Sequence, residues 1–309
     1  MNTPQFSFAK VGMILTFALL GFTHCDEKSS PSNPNPNPNP NPDPDPIEVP
    51  EIAPTVCDFD LDEAALTAEG WTKVFEDDFT TDLSKWNIWT GGAFNEERQH
   101  YQASNLELAD GILLIHAKKE TVQGANNPYD PTLKTFEYTS GRIETKTNFS
   151  ASSGSPKVRM IARVKLVDKY GMWPAFWSFG DPWPTMGEID IIEARGNDPT
   201  KYQTNYFYGT TAGTNLVQSA EGFIQADEDL STCYHVYEMI WEQSRLISIL
   251  DGTIVEEKKS GGYISSMYGQ QQHVVLNMAV GGLFFSNLDP TKIETGTMQV
   301  DWVKVFTSN

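Results

Sequence analysis

The sequence predicts an all-β fold, an antiparallel β-sandwich or jelly roll. Three observations carry this expectation. From about residue 57 onward, apolar residues recur in many short runs with the period of strands. Turn residues punctuate those runs, twice as Asp-Gly, the favoured two-residue hairpin turn. Strands do not alternate with helical stretches, as the βαβ units of a parallel sheet would require.

The elements follow in chain order. Lys10 precedes an apolar run, Val11 to Phe22, which suits the core of a signal peptide and is too short for a permanent membrane-spanning helix. Residues 1–24 are therefore read as a signal peptide. Cys25 stands just behind that run, an arrangement that resembles a bacterial lipoprotein signal in which the cysteine becomes the lipidated first residue. His24 departs from the small residue such signals prefer, so a soluble secreted form stays open. Residues 25–56 read as a lipid-anchored linker, because 33–46 are seven consecutive Asx-Pro dipeptides that can neither pack a core nor complete a backbone ladder. At about 3.1 Å per residue, residues 31–46 extend to roughly 50 Å, a spacer suited to a membrane tether. Asp26 and Glu27 suit an outer-membrane lipoprotein facing the exterior. With Cys25 assigned to lipid, Cys57 and Cys233 remain as a candidate disulfide closing a long loop in an exported chain.

The body, residues 57–309, carries one helical hint, Leu61 to Ala68 behind Asp60. Leu106 to Ile115 reads as a hairpin turning at Asp110-Gly111, and Ile247 to Val255 as another turning at Asp251-Gly252. Further strands are expected at 136–147, 157–167, 172–179, 188–193, 203–208, 234–241, 273–280 and 297–306. No internal repeat is present.

Composition removes several function classes. Net charge is −19, so a phosphate backbone would be repelled over most of the surface, and nucleic acid is set aside. Five His and three Cys, with His24 and Cys25 in the processed segment, leave too few soft ligands for a zinc or iron centre.

The chemistry concentrates at Gly187-Glu188-Ile189-Asp190-Ile191-Ile192-Glu193. Residues i and i+2 of a strand share a face about 6.6 Å apart, so Glu188 and Asp190 point the same way, whereas Glu193 would point to the opposite face. One extra residue, a β-bulge between Asp190 and Glu193, would bring all three carboxylates to one face. Such a row repels itself and raises at least one pKa, as a general acid near neutral pH requires. A solvent-facing strand with alternating acids is the plainer reading, and the pattern alone does not choose. Trp173-Pro174-Ala175-Phe176-Trp177 and Asp181-Pro182-Trp183-Pro184 run directly into this strand. Flat aromatic faces stack on sugar rings, and paired carboxylates cleave glycosidic bonds. Trp177 reads equally well as core or site.

With these residues in view, the chain resembles glycoside hydrolase family 16, in the subgroup that includes laminarinases. The Glu-x-Asp-x-x-Glu pattern at 188–193 matches that subgroup's signature. It is joined in the family's order by residues 95–101, 138–143, 173–177, 277–282 and 300–305. The resemblance implies a jelly roll with a concave cleft for an extended polysaccharide, cut internally with retention of configuration. It implies Glu188 as nucleophile, Glu193 as general acid/base, and Asp190 as the group that manages the nucleophile's charge and proton. Trp173 would line donor subsites, Asn95 would hydrogen-bond the sugar nearest the cut, and Arg159 would be a cleft-lining arginine. Trp183 and Phe207 are also expected to meet substrate. No cofactor is required. A structural calcium is left open, with Asp78, the Gly111 carbonyl and Asp301 at the matching positions, although a closing-strand acid also reads as plain surface. The working unit is expected to be a monomer.

Two departures bear on substrate. Gln203 and Phe207 stand where glucan-cleaving relatives usually carry histidines, and Val158-Arg159-Met160-Ile161 replaces a common Gly-Arg-Phe-Glu ending. Three readings stay open: an endo-glucanase on β-1,3- or mixed-linkage β-glucan, an endo-β-galactosidase on galactose-containing glycans, and a surface glycan-binding protein without turnover.

Overall fold

The computed structural model describes residues 48–217, 221–259 and 262–308. The signal peptide 1–24, the lipidation candidate Cys25 and the Asx-Pro run 33–46 lie outside the described residues. Two antiparallel sheets form the body. The one that carries the site is built from β1 (Trp86–Ile88), β2 (Arg142–Thr145), β3 (Met172–Phe179), β4 (Glu188–Ala194), β5 (Lys201–Phe207), β6 (Gly222–Gln225) and β7 (His273–Val280). Its spatial order is β6-β5-β4-β3-β7-β2-β1. The second sheet is eight-stranded, with Lys157–Lys165 and Gly296–Ser308 at its centre.

Alternation explains why the sheets meet. Ile189, Ile192, Phe176, Leu276 and Met278 from the first sheet are buried against Met160, Val158, Met239 and Trp241 from the second, in one continuous core. Each such side chain contributes roughly 1.5–3 kcal/mol by leaving water. Both Asp-Gly turns form as expected, with Asp110 and Gly111, and Asp251 and Gly252, all at positive φ. That is the backbone a two-residue hairpin turn needs and an Asp-Gly pair tolerates.

Several boundaries differ from the sequence expectation. The run 136–147 is broken at Gly141 into Tyr138–Ser140 and β2, which belong to different sheets. A side chain at 141 would press on Leu106 and Ile115, so the chain crosses there at backbone distance. The helix, α1, is Glu63–Ala68, capped by the Asp62 side chain, which accepts from the Ala65 N–H at 2.9 Å. It covers a second apolar cluster of Trp71, Ile161, Val236, Trp302 and Phe306 on the outer face of the second sheet. A hairpin of Val122–Asn127 and Asp130–Phe136 escaped the sequence reading, since its polar strands lack an alternating apolar face.

The body also begins earlier than residue 57. Ala53 bridges Ala226 in parallel, Thr55 donates from its N–H and hydroxyl to Asp227, and the Val56 N–H donates to Asp251 at 2.9 Å. Cys57 and Cys233 form the expected disulfide, with Cα atoms 5.6 Å apart across 176 residues of sequence. Among the described residues no helix is long and apolar enough to cross a membrane.

Candidate active site

Register builds the site. On β4, Glu188 pairs with Phe179 of β3 and Phe207 of β5; Asp190 pairs with Trp177 and Asn205; Glu193 pairs with Ala175 and Gln203. On β3, Phe176 and Trp177 are consecutive, yet their partners Ile192 and Asp190 are not. Ile191 is the extra residue. It and Ile192 both turn into the core, so Glu193 comes back to the face shared by Glu188 and Asp190.

Glu188 and Glu193 are partly buried at the cleft floor, while Asp190 is fully buried. The Trp183 indole N–H donates to Glu188 Oε2 at 2.7 Å. The Gln203 amide donates to Glu193 Oε2 at 3.5 Å, and Arg195 donates to the Gln203 oxygen at 3.4 Å. All three carboxyls are raised above the ordinary carboxylate range. Loss of water around the charge is the largest cause for each. For Glu188 the charge of Glu193 adds to it, and for Asp190 the charges of both glutamates do. For Glu188 the Trp183 hydrogen bond and the Arg142 charge pull the other way, and for Glu193 Trp173, Gln203 and Arg195 do. Asp190 is shifted furthest in kind, with one carboxyl oxygen buried and unpartnered, so it holds its proton and leaves room for a negative charge beside it. Two glutamates on one face, each raised by burial and Glu188 further by the charge of Glu193, disfavour carrying two negative charges at once, and a pair that shares one proton is the equipment of a two-step displacement at a glycosidic carbon.

Aromatic side chains wall this row. Trp173 stacks on Phe284 with ring centres 4.3 Å apart, and Arg195 lies 3.7 Å over the other side of the same sandwich, at Phe284. Trp177 stacks on Phe179 at 5.0 Å and donates to Asn277 Oδ1 at 2.7 Å. The alternative left open for Trp177 is thus resolved towards the cleft face. Trp183 and Phe207 flank Glu188, 6.2 Å apart.

The family described as "Glycosyl hydrolases family 16" matches residues 85–304. The chain belongs to glycosyl hydrolase family 16. It is 30% identical over 266 residues to a glucan endo-1,3-beta-glucosidase A1 of Niallia circulans, covering 77% of this chain and 38% of that relative. A keratan-sulfate endo-1,4-beta-galactosidase of Sphingobacterium multivorum is 25% identical over 254 residues, covering 76% of this chain and 54% of that protein. The chain therefore spans well under two thirds of either relative. Among solved structures, the endo-beta-1,3-glucanase from Pyrococcus furiosus superposes with a TM-score of 0.64 at 28% identity, covering 77% of this chain and 95% of the other.

Within this family 16 chain, the remaining sequence candidates divide. Asn95 sits in a left-handed turn and its carbonyl accepts from the Leu283 N–H at 2.7 Å, which ties its loop to the rim beside Gly282. Arg159 does not line the cleft. It lies on the second sheet, on the outer face with Ile161, where it pairs with buried Glu238 at 2.7 Å and covers Trp71. Strand 157–165 belongs to the opposite sheet, so no rotamer could carry Arg159 to the catalytic face. The cleft arginines are Arg142, whose guanidinium lies 4.4 Å from the Trp89 ring and 4.9 Å from Trp177, and Arg195. Arg142 stood inside a quoted motif, and Arg195 lies two residues past Glu193; neither local pattern signals its role.

The calcium candidates do not fit as a set. Asp78 and Gly111 are neighbours, since a Cβ at 111 would lie 3.9 Å from the Asp78 carbonyl oxygen. Asp301, however, is held by Arg163 at 2.5 Å, so a guanidinium already supplies the positive charge a cation would bring. The Asp78 carboxylate accepts from both the N–H and the hydroxyl of Thr80. Among the described residues no three His, Cys, Asp or Glu side chains gather around one point.

Trp183→Phe removes the donor that favours the Glu188 anion, so the Glu188 pKa rises further. The acid limb of the kcat/KM profile should then move to higher pH by about one unit. An unshifted limb would show that this N–H does not govern the ionisation that matters.

Proposed function

We propose that this protein is an endo-acting, retaining β-glycoside hydrolase of an extracellular polysaccharide, β-1,3- or mixed-linkage β-glucan first. The observation that carries the reading is the row Glu188, Asp190 and Glu193 on one face of the bulged strand, floored and walled by tryptophan. In the first step Glu188 attacks the anomeric carbon as the Glu193 carboxyl protonates the departing glycosidic oxygen. The bond to the leaving chain breaks and a glycosyl ester forms on Glu188. In the second step Glu193, now ionised, takes a proton from water, the water oxygen attacks the same carbon, and Glu188 leaves as carboxylate. Asp190, neutral, limits the charge that accumulates beside Glu188 during this exchange.

A second substrate reading has its own support. Phe207, opposite Glu188, presents a ring where a histidine would exchange hydrogen bonds with sugar hydroxyls, and Gln203 is committed to Glu193 and Arg195. Fewer polar contacts weaken discrimination between hydroxyl epimers, which favours an endo-β-galactosidase acting on host glycans or algal galactans. The galactosidase relative is consistent with that. A glycan-binding protein without turnover is disfavoured by the intact carboxylate row.

The polypeptide is further proposed to be exported, lipidated at Cys25 and held at the outer membrane facing outward as a monomer, with secretion as the alternative. The apolar run, the cysteine behind it and the Asx-Pro spacer support this.

Four measurements test these readings. Glu188→Gln and Glu193→Gln should each lose at least about a thousandfold in kcat on polysaccharide, with Glu188→Gln still binding it. In proton NMR of the wild-type reaction the β-anomer of the new reducing end should appear first. Near-normal hydrolysis by either variant, or first appearance of the α-anomer, would overturn the assignment. Across laminarin, mixed-linkage glucan and a β-galactose polymer, kcat/KM should be highest on a glucan, and Phe207→His should raise the glucan preference. Cleavage of the galactose polymer alone would select the second reading. Finally, wild type should fractionate with membranes and carry acyl chains, whereas Cys25→Ala should be soluble; identical soluble, unacylated behaviour of both would remove the anchor.

A further inference from the structure

The register of the catalytic sheet runs a straight row of side chains across six strands: Arg142, Asn277, Ala175, Glu193, Gln203 and Phe223 are paired each with the next. Directly paired residues of an antiparallel sheet project from the same face, so the row lies along the cleft floor and crosses the strands as an extended chain would. Its last member is unusual. Phe223 stands on β6, the edge strand, and is 63% exposed, although its neighbour Ile224 is buried in the core opposite Tyr202. The alternation that buries Ile224 is what turns Phe223 to the catalytic face. Among the described residues the ring has no aromatic partner, and its strand is held by backbone bonds and by Ile224. The ring lies two strand spacings from Glu193, about 9.6 Å, the length of two sugar residues. Trp173 stands on β3, on the other side of the catalytic strand, so the two aromatic residues bracket β4 from opposite directions.

We propose that Phe223 is a substrate-binding residue, an aromatic platform for the second sugar on the leaving-group side of the cut. This rests on the glycosidase reading above and extends it: the chain occupies the cleft along the paired row, from Arg142 past Glu193 to the β6 edge. Stacking a sugar face on an exposed phenyl ring removes apolar surface from water on both partners and holds the departing segment in line with the Glu193 carboxyl. An acceptor segment gripped this far out favours internal cuts over trimming of chain ends.

The test compares two substrates in each of four proteins: wild type, Phe223→Ala, Phe223→Leu and Phe223→Trp. One substrate is soluble laminarin. The other is a nitrophenyl β-laminarioligoside, whose aryl leaving group cannot reach past the first acceptor position. Phe223→Ala and Phe223→Leu should lose about tenfold in kcat/KM on laminarin and less than about twofold on the aryl glycoside. Phe223→Trp should keep wild-type efficiency on both. An equal loss on the two substrates would mean a structural role, and no loss on laminarin would mean that the ring does not meet the chain; either result overturns the proposal. The substrate reading is judged separately, by wild type alone. If wild type turns over neither substrate but cleaves a β-galactose polymer, the same ratio is measured on that polymer and its aryl glycoside, with the same two outcomes counting against Phe223.

Discussion

One extra residue in one strand sets the geometry on which the rest depends. A strand that continued in register from Asp190 would point the side chain at 193 into the sandwich, among Phe176, Leu276 and Met278. An ionised carboxyl there would cost several kcal/mol, and the sheet would be left with two acids on its catalytic face. Accommodating Ile191 outside the pairing reverses the alternation, buries two consecutive isoleucines and returns Glu193 to the cleft. The local cost is a broken ladder. It is offset by the apolar surface of Ile191, which goes into the core instead of into water.

The surroundings of that strand then decide how its acids behave. Tryptophans on either side displace water, which raises the carboxyls, while single N–H donors from Trp183 and Gln203 fix where a negative charge is tolerated. Behind them a chain of polar contacts locks the floor: Trp177 donates to Asn277, Asn277 donates to the Tyr101 hydroxyl, and Tyr101 donates to buried Glu97. Asn277 and Tyr101 come from elements far apart in sequence, so the floor is rigid only when the sandwich is complete.

Most of the catalytic sheet was legible in the sequence because its strands combine alternation with turn residues. The bulge was legible for a related reason: the carboxylate spacing makes chemical sense only with one residue inserted. What could not be read was tertiary assignment. Arg159 and Arg142 are both arginines on alternating strands, and only the sheet to which each strand belongs separates a buried partner of Glu238 from a cleft residue. The hairpin 122–136 stayed hidden because its stability comes from backbone pairing between polar strands, a contribution with no signature in hydropathy. Asp301 illustrates the converse: an acid on a closing strand matched a metal-ligand position, but Arg163, 138 residues away in sequence, neutralises it.

The attachment of residues 53–57 gives the body a defined point of mechanical load. Tension applied from the N-terminal side meets, in succession, the Ala53–Ala226 bridge, the Thr55 and Val56 hydrogen bonds to Asp227 and Asp251, and finally a covalent bond to Cys233. The first contacts are short-range and yield one at a time, like the teeth of a zip, whereas the disulfide does not yield at all. Beyond Cys57 the pull is passed into the strand His235–Trp241, in the interior of the second sheet, whereas the Ala53 N–H bond to the Gln225 carbonyl loads β6, the edge strand of the catalytic sheet, two strands away from β4. The covalent link therefore enters the sheet opposite the cleft, while the hydrogen-bonded contacts before it reach the catalytic sheet at its edge strand, away from the carboxylates.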